Sequence, residues 1–171
     1  YGHLSGEIKY RYKAIQRMER FAVASPLGSL KVTLDGDNIT RLEFPRSPRS
    51  GKPARPAGTP ASPASARVAA ALQIYCAGGD PGPLKLRPSG TAFQQRVWDA
   101  LCAVPAGETA TYGELAARAG SPRAARAVGQ ACARNPIPVL IPCHRAVGAS
   151  GPGGWSGLPG AKEWLLEHEA S

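Results

Sequence analysis

Cysteine is scarce: four in 171 residues, Cys76, Cys102, Cys132 and Cys143. No two form a CxxC pair and none joins histidine at zinc-ligand spacing, which argues against a metal site. A chain of this length builds a core without disulfides, so the four read as reduced thiols of a cytoplasmic protein, or a nuclear one in a eukaryote. Acids are also few, 12 against 21 Lys and Arg, for a formal charge of +9 with the three histidines neutral. That excess favours a polyanionic partner, nucleic acid before membrane, because no basic amphipathic helix carries a broad apolar face. No apolar run approaches the roughly 20 residues of a membrane span. The opening residues are polar and basic, unlike a secretory signal. The glycine-rich stretch GASGPGGWSG at 148–157 lacks GK[ST], which argues against nucleoside triphosphate binding. Methionine occurs once, at Met18, and residues 1–17 before it are expected to be a cloning remnant or an upstream extension.

What remains is an ordinary globular composition, 43% hydrophobic and 19% charged. From Glu19 to Phe44 the pattern is β: Leu30, Val32 and Leu34 alternate with polar residues, DGDN at 35–38 signals a turn, and Leu42 and Phe44 share a face. A hairpin or small meander is expected. Residues 46–65, RSPRSGKPARPAGTPASPAS, are rich in Pro, Ser, Gly and Ala and contain no acid, so a mobile basic loop is expected. A helix over 66–76 places Val68, Leu72 and Tyr75 on one face. The composition shifts near Ser89, predicting an N-terminal α/β domain over 18–88 and a second domain over 89–171.

The second half reads as helical. Phe93, Val97, Trp98, Leu101 and Cys102 share one helix face, which makes Cys102 a core residue. TYGE at 111–114 fits a capping box, with Thr111 as N-cap and Glu114 reaching back. Gly120 suits that helix's exit, and Ser121 with Pro122 suits the start of the next. Two short helices about a Gly-Ser turn resemble a helix-turn-helix, the second carrying Arg123, Arg126, Gln130 and Arg134 as one basic stripe. Asn135-Pro136 stops it. A last amphipathic helix, AKEWLLEHE, turns Trp164 and Leu165 inward. Cys143 stands between these helices in LIPCHRAVG, held by Pro142 and flanked by His144 and Arg145, cations that favour a thiolate. Most isolated cysteines are inert, and adjacency to histidine alone makes no dyad.

IPCHRAVG, with NPIPVL before it, AARAVG at 124–129, FQQRVWDAL at 93–101 and KEWLLEHE at 162–169, closely resembles the O6-alkylguanine-DNA alkyltransferases, or methylated-DNA–protein-cysteine methyltransferases. The resemblance is dense over 91–169 and weaker over 18–88. It implies an α+β fold: a small N-terminal antiparallel β-sheet with a helix, then an all-helical C-terminal domain with the helix-turn-helix. It implies irreversible, single-turnover transfer of the alkyl group from O6-alkylguanine in double-stranded DNA to Cys143, after base flipping through the minor groove. By the same resemblance, a Glu169–His144–water–Cys143 relay activates the sulfur. Tyr112 donates to guanine N3, and Ser156, Trp155, Ala146 and Gly157 border the substrate. Arg126 enters the vacated stack, while Ala124, Ala125, Thr111, Gln130 and Arg123 face DNA and Asn135 and Arg145 serve architecture. No cofactor and no metal are expected, and the protein is expected to be a monomer. Two departures stand out: the loop between Cys143 and Lys162 is one residue shorter than in relatives, and Trp155 replaces a tyrosine. The bulkier indole puts acceptance of benzyl-sized groups in doubt. Between Glu19 and Leu86 there is Cys76 and no histidine, so the zinc of some relatives is not expected. A DNA-binding regulator and a cysteine hydrolase are the rival readings. The first would bind without alkyl gain, and the second would turn over esters or amides.

Overall fold

The computed structural model describes residues 18–45 and 58–171. Residues 1–17 and the 46–57 part of the basic stretch lie outside the described residues. The alternating N-terminal pattern forms three antiparallel strands in the order β1 (Met18–Ser25), β2 (Gly28–Asp35) and β3 (Asn38–Glu43). Phe21, Val23, Leu30, Val32, Leu34, Ile39 and Leu42 are buried on the inner face, where period-two side chains meet a helix. That helix, α1 (Pro63–Cys76), supplies Val68, Leu72 and Tyr75.

The loop expected over 46–65 is corrected at its C-terminal end. Gly58 bridges Phe21, and α1 begins at Pro63 rather than residue 66. The cause is Glu19 on β1, whose carboxylate accepts from the Ala61 backbone N–H at 2.8 Å and from the Ser62 hydroxyl. Ser62 and Ser65 then complete a capping box.

The C-terminal half is built on α2 (Ala92–Cys102), whose Val97, Trp98 and Leu101 are buried. Trp98 Nε1 donates to the Ala131 carbonyl at 3.0 Å, tying α2 to α4 (Ala125–Ala133). Cys102 is exposed, not a core residue as its place beside the stripe suggested. Between these helices lies α3 (Tyr112–Arg118), with the capping box of Thr111 and Glu114 formed. Gly120 takes φ +73° and turns the chain. Ser121 does not cap the next helix. Its N–H closes the end of α3 on the Ala116 carbonyl at 2.8 Å, a 3-residue turn follows, and α4 starts at Ala125 without a side-chain cap. Arg123 therefore precedes the helix rather than lying on it.

A two-residue parallel ladder joins β4 (Ala110–Thr111) to β5 (Ala146–Val147). It adds a small β element to the helical half and sets the start of α3 beside the active-site segment. The last helix, α5 (Ala161–Glu169), buries Leu165, while Trp164 is only half-buried and stacks on His168 at 4.5 Å. Ile39 bridges Leu86 within the N-terminal half, and the two halves meet where the Leu42 N–H donates to the Pro136 carbonyl at 2.9 Å. Among the described residues no helix is long and apolar enough to cross a membrane.

Candidate active site

The cysteine segment is stiff. Val139 has φ +76°, a left-handed conformation that a β-branched residue enters only under strain. The turn is held by the Ile141 N–H on the Ile137 carbonyl at 2.9 Å, by the Pro138–Ile141 bridge and by Asn135. Asn135 accepts from the Ile137 N–H at 2.9 Å and donates to the Ile141 carbonyl at 2.8 Å and to Cys143 Sγ at 3.2 Å. It thus braces the segment and touches the sulfur. A single 3₁₀ turn, Cys143–Arg145, follows.

Cys143 is 6% exposed and lies in a cleft of about 640 Å³. The cleft is also lined by Tyr112, Arg126, Asn135, Trp155, Ser156 and Gly157, so the structure gathers these predicted residues at one opening. Ala125 joins them, whereas Thr111, Arg123, Ala124 and Gln130 do not line the cleft. Ala146, expected to touch substrate, is fully buried in the β4–β5 ladder and gives its carbonyl to Lys162. Tyr112 Oη donates to the Gly154 carbonyl at 3.3 Å. Burial, and behind it the Cys132 and Cys143 thiols, raise the phenol above its usual value, keeping it a neutral donor. Gly153, at φ +72°, must be glycine here: a Cβ would stand 2.8 Å from Tyr112 Oη. Trp155 packs edge-on to Phe44 at 6.3 Å and to His144 at 6.5 Å.

Behind the sulfur sits a buried polar cluster. His144 is fully buried, and its Nε2 lies 2.8 Å from Glu169 Oε1. Burial alone would raise the Glu169 carboxyl, but hydrogen bonds from His144, Arg145 and Tyr75 hold it well below the usual carboxylate range. An ionised carboxylate only accepts, so Nε2 bears the imidazole hydrogen and Nδ1 carries the lone pair. That Nδ1 is buried and has no hydrogen-bond partner among the described residues. Burial lowers the His144 pKa despite Glu169, so the ring is neutral at pH 7.

The cations flanking Cys143 in sequence, His144 and Arg145, do not act on its thiol. Burial pushes the thiol up to about 11, with Asn135, its own backbone and Lys162 pulling the other way. Arg145 does not serve the sulfur. Its Nε donates to Glu169 Oε2 at 2.8 Å, one terminal nitrogen to Oε1 at 2.9 Å, and the other to the Val104 carbonyl. The cation that acts on the nucleophile is Lys162, 1% exposed, whose Nζ donates to the Ala146 carbonyl at 2.7 Å and to the Pro152 carbonyl. Lys162 and Tyr75 carried no local signal beyond an inward place on an amphipathic helix.

A second cavity of about 580 Å³ is lined by Tyr75, Pro142, Arg145, His168 and Glu169 among others, and not by Cys143. Among the described residues no group of three or more His, Cys, Asp or Glu could hold a metal ion.

Comparisons with known proteins meet this geometry. The family described as "6-O-methylguanine DNA methyltransferase, DNA binding domain" matches residues 92–171. The chain is 39% identical over 148 residues to the methylated-DNA–protein-cysteine methyltransferase of Haemophilus influenzae, covering 85% of this chain and 82% of that one. With the protein of the same name from Methanosarcina mazei it is 56% identical over 88 residues, 50% of this chain and 55% of the relative. The match thus spans little more than half the length of that relative. Among solved structures it resembles Mycobacterium tuberculosis OGT in complex with DNA, at TM-score 0.76 and 40% identity, covering 89% of this chain and 92% of that one.

Proposed function

Because the chain belongs to the methylated-DNA–protein-cysteine methyltransferase family, we propose that it repairs DNA by taking the alkyl group of O6-alkylguanine in duplex DNA onto its own Cys143, once per molecule. One observation carries the reading: a buried thiol at an open cleft, beside a neutral imidazole whose Nδ1 is unpartnered and whose Nε2 is tied to a carboxylate.

The damaged base is stacked in the duplex and must turn out of it to reach a buried sulfur. Arg126, exposed at the cleft mouth on α4, has the aliphatic stem to fill the gap and the guanidinium to bond the orphaned partner base. Within the cleft the Ser156 backbone N–H faces O6 and the Tyr112 phenol faces N3. The Cys143 proton passes through a bridging water to His144 Nδ1, and Glu169 stabilises the imidazolium that forms. Sγ then attacks the alkyl carbon. The S–C bond forms, the C–O6 bond breaks, and its electron pair stays with guanine, which takes a hydrogen bond or proton from Tyr112. The thioether product is a poor leaving group, so each molecule reacts once. This chemistry calls for no cofactor. We assign DNA binding and catalysis to residues 89–171, with the protein acting as a monomer in the cytoplasm. The charge of +9 and a relative solved with DNA support the nucleic-acid partner.

The test is to incubate the protein with duplex O6-methylguanine DNA and weigh it. A permanent gain of one methylene on the Cys143 peptide is expected, with Cys143→Ala binding the same DNA and gaining nothing. Demethylation by Cys143→Ala would remove Cys143 from its role. Binding without mass gain would select a regulator, and ester turnover a hydrolase.

A further inference from the structure

Tyr75 reaches the cluster from the other half of the chain. It stands in the last turn of α1, 8% exposed, and its hydroxyl donates to Glu169 Oε1 at 2.7 Å. The same oxygen accepts from His144 Nε2 at 2.8 Å and Arg145 at 2.9 Å, so three donors converge on it. The phenol is fixed from behind. His168 meets the Tyr75 ring edge-on at 5.5 Å, and its Nε2 lies 2.6 Å from the Tyr75 carbonyl.

We infer that Tyr75 is a positioning residue for the alkyl transfer proposed above: its hydroxyl holds the Glu169 carboxylate in register with His144 and, by sharing the same oxygen, limits how basic the imidazole becomes. The inference rests on that reading of the site. A carboxylate oxygen has a fixed charge to share, and each further donor lowers what it offers the next. Without the phenol, His144 faces the oxygen with one competitor fewer, and its protonated form gains. The groups facing Glu169 are Tyr75 from α1 and His144 and Arg145 from the 3₁₀ turn. Cys76 and His168 lie beside Tyr75, and Lys162 acts on His144. Burial and the Glu169 carboxylate push the Tyr75 phenol far above its usual value, so it is neutral throughout the working range. Replacing it by phenylalanine removes one hydrogen bond and no charge.

The experiment uses the full chain. In Tyr75→Phe, the His144 titration followed by NMR is expected to move up by roughly half a pH unit to one unit, less than the roughly one to two units that a hydrogen bond made directly to a charged group is worth, because His144 feels the lost bond only through Glu169. The acidic limb of the transfer rate on O6-methylguanine DNA moves up with it, because transfer needs the neutral ring. A purely structural role would lower the melting temperature and the rate equally at every pH, leaving the limb in place. Incorporating 3-fluorotyrosine, a stronger donor of the same shape, is expected to move the His144 titration down and covers the case in which Tyr75→Phe does not fold. A His144 titration unmoved by either change overturns the inference. If the wild-type protein accepts no alkyl group, the alkyl-transfer reading fails, while the His144 titration still decides the role of Tyr75.

Discussion

Glu169→Gln removes one charge and leaves the side chain's shape. The carboxylate is 2% exposed and accepts from three residues. An amide has only one accepting oxygen. If that oxygen takes the Oε1 place, it still serves Tyr75 and His144, but its NH2 then faces Arg145 Nε, donor against donor. The opposite flip turns the NH2 toward all three groups at Oε1. In either case Arg145, with its side chain 12% exposed, becomes a mostly buried cation without a counter-charge. Breaking a buried pair from one side costs about 3–5 kcal/mol. For a domain of this size that is a fall of roughly 6–20 °C in melting temperature. The transfer rate should fall by roughly ten- to a hundredfold, less than the ~10²–10⁴ attached to losing a general base outright, because the amide can still hold the ring.

The pH dependence separates the charge from the shape. Glu169 has a depressed folded pKa, so its stabilisation is present above the unfolded value of about 4.3 and is lost as pH falls below it. His144 is also depressed by burial. Below about 6.5 the unfolded chain takes up the proton first, and stability falls there too. The wild-type protein should therefore lose stability on acidification in two stages. Glu169→Gln should keep the stage below about pH 6.5 and lose the contribution of Glu169 to the one below about 4.3. Melting curves from pH 8 to pH 3, with single-turnover transfer at neutral pH, measure both effects. A variant melting within two degrees of wild type at pH 7, with an undiminished acid stage, would refute the reasoning.

Two further substitutions probe other parts of the structure. Arg126→Ala is expected to lose most of its repair rate on duplex DNA and much less on free O6-alkylguanine; equal losses on both substrates would exclude a flipping role. Trp98→Phe leaves the buried Ala131 carbonyl without the indole N–H and opens space between α2 and α4. It should cost about 2–4 kcal/mol in chemical denaturation, and a change below 1 kcal/mol would show that the carbonyl finds another partner.

The parts of the fold that could be read from the chain are those with local causes. Alternation in SLKVTL and ITRLEF is enough for the strands, and Thr111 with Glu114 for the start of α3, since each needs only near neighbours. The order of residues 58–65 is not legible locally because it comes from β1: Gly58 is held by Phe21 and Ala22, and Ala61 and Ser62 by Glu19, more than 40 positions away. Ser121 is not the cap because the Ala124 N–H closes a turn on its carbonyl and delays the helix to Ala125, a spacing that composition does not reveal. The same contrast holds in the site. His144 and Glu169 are picked out beside Cys143 only by the family resemblance, and the direction in which Arg145 points is not legible at all. A 3₁₀ turn sends neighbouring side chains to different faces, so Arg145 reaches Glu169 instead of the sulfur beside it. Lys162 enters the site through packing of α5 on the active-site turn, and Tyr75 through its contacts with Glu169 and His168 of α5.

The protonated resting state of Cys143 changes how reactivity must arise. With the thiol near 11, ionising it at pH 7.5 costs roughly 5 kcal/mol. That cost already includes the Asn135 amide at 3.2 Å and the Lys162 ammonium, which both favour the thiolate. It is met only by an acceptor for the proton, and in the proposed reaction that acceptor is the buried Nδ1 of His144, which has no hydrogen-bond partner among the described residues. Accepting the proton creates an imidazolium in a buried site, which is tolerable only because Glu169 already lies against Nε2 as an anion. Arg145 and Tyr75 keep Glu169 anionic, since burial alone would protonate it. The chain of dependence thus runs from Tyr75 and Arg145 through Glu169 and His144 to the sulfur. In the proposed reaction that suits a nucleophile used once: a sulfur ionised at all times would be spent on any passing electrophile, whereas a protonated one reacts only when its proton is taken.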